Sequence, residues 1–446
     1  MKSVLIKNAH IVNEGTITRN DVMVTDGRIA EIAPSISVKT IDTKIIDADG
    51  LYLLPGMIDD QVHFREPGLT YKADIESESA AAVAGGITSF IEMPNTDPQT
   101  TTIELLEEKF EIAAKKSWAN YSFMFGGTND NLEEILKVDP KKVAGLKLFL
   151  GSSTGNMLVD NPKTLEEIFS KTKLLISVHC EDEKTIQNNL KDAMKTYGED
   201  IPISMHPKIR SEEACYISSS KAVELAKKTG ARLHVFHVST EKETHLFSKS
   251  KPLSKKKITA EVCVHHLWFT EADYATKGTK IKWNPAIKTQ KDRDGLLQAL
   301  LDDRIDVIAT DHAPHTLEEK NNNYVHAPSG APMVQHALVA MLELYHREKI
   351  SLEKIVEKFA HNPAILFRIK ERGFIREGYK ADLVLVDLNF PWTVKKENIL
   401  YKCGWSPLEG TNFKSRVTHT LVNGVVVYEG SKLQNRGKAE RLEFNA

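Results

Sequence analysis

The sequence has few of the features that mark secreted or membrane-spanning proteins. Its cysteines are few and stand in no CxxC pair or disulfide-framework spacing: Cys180, Cys215, Cys263 and Cys403. No apolar stretch approaches the ~18 residues of a membrane span. The chain opens directly on an alternating strand pattern instead of a signal peptide. These absences predict a cytoplasmic protein with reduced thiols.

An excess of one charge is also missing. The formal net charge is -2, and lysine and arginine are spread along the chain, which gives no general attraction to nucleic acid or acidic membranes. No glycine-rich phosphate loop opens a helix. The apolar share of 41% and charged share of 27% are those of an ordinary globular protein. At 446 residues, the chain has room for a barrel and a second module.

The middle of the chain alternates strand-like and helix-like segments. Residues 102–116, for example, carry the apolar spacing of a helix. Eight apolar runs of strand length, each followed by room for a helix, predict an α/β fold with a (β/α)₈ barrel. A doubly wound open sheet is the alternative, and the missing phosphate loop disfavours it. The runs lie at 56–64, 86–95, 121–127, 143–151, 173–181, 232–240, 257–266 and 305–314.

Both ends of the chain have a different hydropathy pattern from the middle. Short alternating runs are separated by hairpin-type dipeptides such as Asp26-Gly27 and Asn423-Gly424. Two all-β segments flanking a different middle predict one small discontinuous β-sandwich domain. We therefore expect residues 1–54 and 370–446 to form that domain and residues 55–369 to form the barrel.

Polar residues stand near the carboxyl ends of the apolar runs. In a barrel, these ends converge on one mouth, where catalysis takes place. Each residue alone is a weak signal, and together they predict a site. They are His63, Asn95, Lys147, His179, His237, Asp311 and His315.

Lys147 interrupts a run that is apolar on both sides. A parallel barrel strand is covered on both faces, so this ammonium has no exposed face to occupy. Burial favours the neutral amine. One interpretation is a lysine held in a buried salt bridge. The other is an amine carboxylated by CO2, whose carbamate oxygens could bridge two metals.

Two histidines and one aspartate offer metal ligands. His179 and His237 close apolar runs in adjacent strands, and neutral imidazoles beside carboxylates are common zinc ligands. Each could equally be a hydrogen-bonded core histidine. His234, three residues before His237, should face the other way on a strand and be structural. Asp311 is a carboxylate at a strand end, or else a helix N-cap.

Several motifs together resemble the amidohydrolase superfamily. They are "LLPGMIDDQVHFREPG" (53–68), "EMPNT" (92–96), "GLKLFLG" (145–151), "LHVFHVST" (233–240), "NPAIK" (284–288) and "ATDHAPH" (309–315). The combination of "HFREPG", "MPNT" and "TDHAPH" is similar to the dihydroorotases. The resemblance covers essentially the full length and implies the barrel fold.

The resemblance also implies a metal centre and a reaction. Zinc, one or two ions per chain, would be held by His63 and Asp311 on one side and by His179 and His237 on the other. Carboxylated Lys147 would bridge them. The reaction would be the reversible closure of N-carbamoyl-L-aspartate to L-dihydroorotate in pyrimidine (UMP) biosynthesis. Asp311 would move the proton between water and the ring nitrogen.

Substrate contacts follow from the same resemblance. Arg65 would grip the carboxylate of dihydroorotate through its planar fork, with Asn95 beside it. Asn284 would contact the ring and His315 the carboxylate. Ser329 and Gly330 would belong to a substrate loop.

Three positions depart from the family pattern. Gln61 stands where the family has the first histidine of an H-x-H pair, and an amide oxygen is a poorer zinc ligand than imidazole. Lys288 replaces the usual arginine of a Pro-Pro-Leu-Arg segment, which removes a bidentate contact. In residues 324–335 the Ala-Pro-x-Gly pattern is kept but the following residues differ.

Two other functions stay open. One is a different cyclic amidohydrolase, such as a dihydropyrimidinase or allantoinase, although Arg65 would then have no ring carboxylate to bind. The other is a weakened, dihydroorotase-like structural partner of aspartate transcarbamoylase, which Gln61 favours and the five intact ligand positions oppose. The protein would act on a small molecule, without nucleic acid or membrane, either as a homo-oligomer or with that partner.

Overall fold

The computed structural model describes residues 3–38, 42–151 and 157–445. Five strands precede the barrel: β1 (Ser3–Asn13), β2 (Thr16–Thr25), β3 (Arg28–Ala33), β4 (Thr43–Asp47) and β5 (Tyr52–Pro55). β1 pairs antiparallel with β2 and parallel with β4 and β5. Within the described ranges, no helix is long and apolar enough to cross a membrane.

Eight parallel strands follow and pair in chain order. They are β6 (Met57–Val62), β7 (Ile87–Glu92), β8 (Asn120–Gly126), β9 (Gly145–Phe149), β10 (Ile176–His179), β11 (Leu233–Val235), β12 (Ile258–Cys263) and β13 (Val307–Ala309). A parallel bridge between Val62 and His312 joins the two edges just beyond β13. The sheet therefore closes into a barrel, as predicted.

The chain returns to the terminal sheet after the barrel. Its last strands are β14 (Leu383–Asp387), β15 (Trp392–Thr393), β16 (Asn412–Phe413), β17 (Arg416–Val422), β18 (Val425–Glu429) and β19 (Lys432–Leu433). The strand order is β19-β18-β17-β14-β5-β1-β2-β3, while β15 and β16 form a separate pair. β14 pairs with β5, so both ends of the chain build one sheet. The prediction of an all-β unit made from both termini is confirmed.

Helices cover the outside of the barrel. They are α1 (Ile75–Ala84), α2 (Ile103–Lys116), α3 (Leu132–Lys137), α4 (Pro162–Lys171), α5 (Glu183–Tyr197), α6 (His206–Ile209), α7 (Glu212–Thr229), α8 (Glu241–Thr244), α9 (Val264–Trp268), α10 (Tyr274–Lys277), α11 (Gln290–Leu301), α12 (Leu317–Lys320), α13 (Ala337–His346), α14 (Leu352–Val356) and α15 (Asn362–Phe367). At least one helix lies between each barrel strand and the next, which is the (β/α)₈ arrangement.

Local chemistry explains why these segments are helical. In α2, the Thr102 side chain accepts a hydrogen bond from the Leu105 amide and caps the first turn. Leu106, Phe110 and Ala113 are buried at spacings of four and three residues, so one face packs on the barrel. The barrel strands, by contrast, are buried on both faces almost throughout. Any ionisable group on them therefore sits in a water-poor interior.

Candidate active site

A small cavity opens at the carboxyl ends of the barrel strands. Most of the residues predicted from the sequence meet there. The lining consists of Gln61, His63, Arg65, Lys147, Phe149, His179, His237, Trp283, Asn284, Asp311, Ala313, Ser329 and Gly330. Asn95 and His315 are not part of the lining, but each contacts a residue that is.

His63 and Asp311 face each other across the closure of the barrel. His63 Nε2 lies 3.2 Å from Asp311 Oδ1. On the other side of the ring, His63 Nδ1 lies 2.8 Å from Asn95 Oδ1. If Asn95 Oδ1 accepts the Nδ1 proton, the Nε2 lone pair points toward the carboxylate and the cavity. Asn95 thus orients the imidazole.

A second pair of imidazoles comes from His179, the last residue of β10, and His237, two residues beyond the end of β11. His179 Nδ1 is 3.0 Å from His237 Nε2, and both rings are almost completely buried. His179 Nε2 lies 3.2 Å from Glu181 Oε2, and Arg210 forms an ion pair with the same carboxylate. Two ring nitrogens converging at this distance offer adjacent donor atoms to a metal ion.

Lys147 projects from β9 into the same cavity and is 1% exposed. Among the described residues, its Nζ atom has no hydrogen-bond partner. Its nearest aromatic neighbours are Phe236, with Nζ 4.1 Å from the ring centroid, and Phe149 at 4.9 Å. Of the two interpretations of the sequence, the buried salt bridge is therefore wrong. Burial lowers the pKa of Lys147 to about 8, so the amine is still mostly protonated at pH 7 but loses its proton far more readily than an ordinary lysine.

Burial also shifts the pKa values of two histidines and the aspartate that line the cavity near Lys147. Burial lowers the pKa of His63 and of His237 well below the usual value, so both rings are neutral at pH 7. Burial, only partly offset by the charge of Lys147, raises the pKa of Asp311 to about 7. A carboxylate with this pKa exchanges its proton near neutral pH, which suits general acid–base work.

Two cationic side chains, those of Arg65 and Lys72, lie on either side of His315. Arg65 is 2% exposed and donates from Nε to the Pro314 carbonyl at 3.1 Å. Its Nη2 atom lies 3.1 Å from His315 Nε2, while Lys72 Nζ lies 2.9 Å from His315 Nδ1. Glu319 pairs with Lys72 at 2.9 Å. This end of the site is suited to an anion.

Two loops complete the lining of the cavity. Asn284 contributes Oδ1, a buried atom with no partner among the described residues. His315 Nε2 lies 3.0 Å from the Ser329 carbonyl oxygen. Gly330 adopts a φ of 125°, and a Cβ atom there would lie 2.5 Å from the Ala313 carbonyl oxygen. Only glycine therefore fits at this point of the wall.

Gln61 is part of the cavity lining, two residues before His63 in the chain. Its side chain is 1% exposed, and Cys263 Sγ lies 3.7 Å from Gln61 Oε1. The amide is thus present in the cavity lining and its oxygen is approached by a weak donor. The glutamine does not fold away from the site.

Comparison with known proteins places these features in a family. Residues 52–427 match the model described as "Amidohydrolase family". The chain belongs to the amidohydrolase family. It is 36% identical over 436 residues to a dihydroorotase of Carboxydothermus hydrogenoformans, covering 95% of this chain and 98% of that protein. A dihydroorotase of Pyrococcus abyssi is 33% identical, with 96% of each protein covered.

A solved structure shares the architecture of this amidohydrolase. The L-hydantoinase (dihydropyrimidinase) of Arthrobacter aurescens superimposes with a TM-score of 0.93 at 28% identity, covering 99% of each chain. The predicted fold and family are therefore confirmed. The relatives also confirm the predicted enzyme class, a hydrolase of cyclic amides that acts on a small molecule.

The sequence interpretation missed several residues that shape the site of this amidohydrolase. Lys72 and Glu319 hold His315, yet both lie outside the apolar runs and carry no motif signal. Trp283 lines the cavity and donates from Nε1 to the Asp311 carbonyl at 3.3 Å. His265 stacks on Trp283 with ring centroids 4.1 Å apart. Trp283 directly precedes the predicted Asn284 in the chain, and this neighbour was the one signal in the sequence that could have pointed to it.

Proposed function

We propose that this chain is a zinc-dependent dihydroorotase that interconverts N-carbamoyl-L-aspartate and L-dihydroorotate. The observation that carries the proposal is the place of Arg65. Its buried guanidinium lines the same cavity as the histidines, Lys147 and Asp311. A cyclic amide that also bears a carboxylate fits a site with a ligand cluster at one end and a fixed cation at the other.

The residues present suit a metal centre. His63 Nε2, His179 Nδ1 and His237 Nε2 are buried ring nitrogens near one another or near Asp311, and Lys147 Nζ has no partner among the described residues. His63 and Asp311 would hold one zinc ion, and His179 and His237 another. Lys147, whose neutral amine can form an N–C bond to CO2 and release a proton, would bridge them as a carbamate. Bound zinc would activate water and polarise the amide carbonyl.

Asp311 is the proposed proton carrier. In the ring-opening direction, water adds to the ring carbonyl and the carbonyl–nitrogen bond breaks. The Asp311 carboxylate takes a proton from water and delivers it to the leaving ring nitrogen, and the reverse direction retraces this path. The raised pKa, about 7, lets the same group act as base and then as acid at neutral pH.

The rest of the cavity would orient the substrate. Arg65 would bind the ring carboxylate, with its guanidinium edge fixed by the Pro314 carbonyl at 3.1 Å. His315, held by Lys72 and next to Arg65, would approach the same carboxylate, and Asn95 would join it from behind His63. Asn284 would accept from a ring N–H through its unpartnered Oδ1 atom. Ser329 and Gly330 would close the wall behind the ring.

A second candidate function is a hydantoinase-type hydrolase, which the structural similarity to the Arthrobacter aurescens enzyme favours. The two functions differ in the need for Arg65, because hydantoins and dihydropyrimidines carry no ring carboxylate. In that case the buried guanidinium would face a neutral substrate, and no ionic contact with the substrate would offset the free-energy cost of burying its charge. The carboxylate-bearing substrate therefore accounts better for the site.

A substrate comparison tests the proposal. Zinc-loaded protein is assayed by ultraviolet absorbance with dihydroorotate, dihydrouracil, hydantoin and allantoin at equal concentration. We expect turnover of dihydroorotate to exceed that of the others by roughly a hundredfold, the contribution of one bidentate charge-assisted contact. Turnover of hydantoin or allantoin without turnover of dihydroorotate would reject it.

Association with other chains is a separate part of the proposal. The same protein, run on a sizing column alone and with aspartate transcarbamoylase, reports whether it forms a homo-oligomer or a complex. A chain that forms the complex and turns over no substrate, with no bound metal, would indicate the scaffold role.

A further inference from the structure

Three ionisable side chains meet inside the barrel, one layer below the zinc site proposed above, which comprises His63, Lys147, His179, His237 and Asp311. Asp60 lies on β6, His234 on β11 and Glu261 on β12. Asp60 and His234 each stand three residues before a histidine of that site, His63 and His237. Asp60, His234 and Glu261 are all 0% exposed. β6 and β11 are not neighbours in the sheet, yet Asp60 Oδ2 lies 3.2 Å from His234 Nε2. The contact therefore crosses the interior of the barrel.

The hydrogen bonds around His234 are compatible with a proton on Nδ1, which leaves Nε2 available to bind a cation. The Thr259 hydroxyl donates to the Leu233 carbonyl at 3.2 Å, so its oxygen is left to accept from His234 Nδ1 at 2.8 Å. In a neutral imidazole, Nε2 then carries a lone pair. That lone pair faces Asp60 Oδ2 at 3.2 Å and Glu261 Oε2 at 3.9 Å. Three acceptors facing one another repel unless something positive lies between them.

Both carboxylates have spare oxygens at this point. Glu261 Oε1 accepts from the His237 amide at 2.9 Å, whereas Oε2, which faces His234, has no hydrogen-bond partner in the described part of the chain. The same is true of Asp60 Oδ1. Buried carboxylate oxygens without partners are rare in folded proteins and call for an occupant. Glu261 Oε2 lies 3.9 Å from His234 Nε2, and the other oxygen of the Asp60 carboxylate, Oδ2, lies 3.2 Å from the same atom.

We propose that Asp60, His234 and Glu261 bind a divalent cation, separate from the metal site at the cavity. The donor set, one imidazole and two carboxylates, is that of a zinc site. Ligands ~2.0–2.2 Å from a tetrahedral zinc ion stand about 3.3–3.6 Å from each other. Oδ2 of Asp60 and Nε2 of His234 already have nearly this separation at 3.2 Å, and one ligand atom from each of the three residues lies within 4.8 Å of the others.

The proposed ion has a structural consequence for the cavity above it. Glu261 Oε1 holds the backbone amide of His237, a residue with a φ of 39°. Non-glycine residues in this left-handed region are strained and need support from their surroundings. A cation that fixes Glu261 would supply that support and keep the His237 ring directed into the cavity. Asp60, His234 and Glu261 are thus positioning residues.

Metal analysis tests the site without relying on activity. Zinc-loaded protein is dialysed exhaustively against a chelator and its zinc is counted by mass spectrometry. We expect one resistant ion per chain, because all three ligands are fully buried. In Asp60→Asn, which keeps the size of the side chain, and in His234→Gln, that ion is lost. His336→Gln is the matched control, since His336 is equally buried but contacts Tyr401 and Ser406 instead.

Several outcomes would overturn the proposal. One is wild-type protein with no resistant ion, and another is Asp60→Asn protein that keeps it. If His234→Gln fails to fold by circular dichroism, Asp60→Asn and a Glu261→Gln variant decide by the same count. The cobalt(II) absorption spectrum gives a second readout: loss of one set of bands in Asp60→Asn supports the site, and an unchanged spectrum rejects it. Dihydroorotate turnover by the wild type is scored separately, so the two proposals fail independently.

Discussion

His63 Nε2 lies 3.2 Å from Asp311 Oδ1, at the point where the last barrel strand returns to the first. The two residues belong to opposite ends of the barrel sequence, and the Val62–His312 bridge beside them closes the sheet. Closure of the barrel therefore also assembles half of the proposed metal site. A change that loosens this junction should weaken metal binding and fold stability together.

Lys147→Ala should abolish activity and reduce bound zinc. The substitution removes the nitrogen that would carry the bridging carbamate, and losing several kcal/mol of metal-centred stabilisation corresponds to about a thousandfold or more in rate. Short carboxylic acids added to the variant should restore part of the turnover by supplying the missing oxygens. Steady-state turnover and zinc content measure both effects. Unchanged turnover in Lys147→Ala would refute the bridging role.

Arg65→Met should separate carboxylate binding from amide hydrolysis. Loss of a bidentate, charge-assisted contact is expected to lower kcat/KM for dihydroorotate about a hundredfold or more. Dihydrouracil has the same ring amide without the carboxylate, so its slow turnover should change little. The ratio of the two kcat/KM values is the measurement. An equal loss for both substrates would mean that Arg65 supports the fold of the site and not the carboxylate.

Zinc affinity of the metal-free protein should rise with pH between about 6 and 8. Below its pKa of about 7, Asp311 is protonated, and zinc must displace that proton. Below its pKa of about 8, Lys147 is an ammonium and cannot react with CO2. Above both values the side chains hold no proton for zinc to displace. At a fixed bicarbonate concentration, the neutral amine and bicarbonate give the carbamate and water without releasing a proton, so the affinity should level off. His63 and His237, with lowered pKa values, are neutral throughout and add no slope.

A competing chelator, titrated at each pH, measures this profile. Each displaced proton contributes about a tenfold change in affinity per pH unit. In Lys147→Met, zinc affinity should no longer rise between about pH 7 and pH 8. It should still rise below about pH 7, where Asp311 is protonated. A flat profile across the whole range would contradict the assignment of Asp311 and Lys147 as zinc ligands.

Gln61→His should hold or raise zinc occupancy. Gln61 already lines the cavity beside His63, and imidazole is a better zinc ligand than an amide oxygen. Zinc per chain at limiting free zinc is the measurement, with Gln61→Leu as the matched variant that offers no donor. Displacement of zinc by the new histidine would mean that the glutamine belongs to a site of a different shape.

Much of the site could be predicted from the sequence because barrel strands are buried on both faces. Polar residues such as Lys147 and His179 stand out in apolar runs, and parallel strands bring their carboxyl ends to one mouth. The predicted residues do line or border one cavity. Their individual roles remain predictions, as do the proposed domain boundaries.

The direction of His234 could not be predicted in this way. Strand alternation turns it away from His237 only if the strand continues through both residues. β11 ends at Val235, and His237 adopts a φ of 39°, so both side chains face the interior. The expectation that His234 is merely structural packing missed its contact with Asp60. Contacts across a closed barrel depend on strand tilt and shear, which no local pattern specifies.

Diffraction from crystals of the active, zinc-loaded enzyme, recorded on both sides of the zinc absorption edge, tests the central claim most directly. The account predicts anomalous density between His63, Lys147, His179, His237 and Asp311, with extra density extending from Lys147 Nζ. Active crystals with no anomalous density among these five side chains would contradict it.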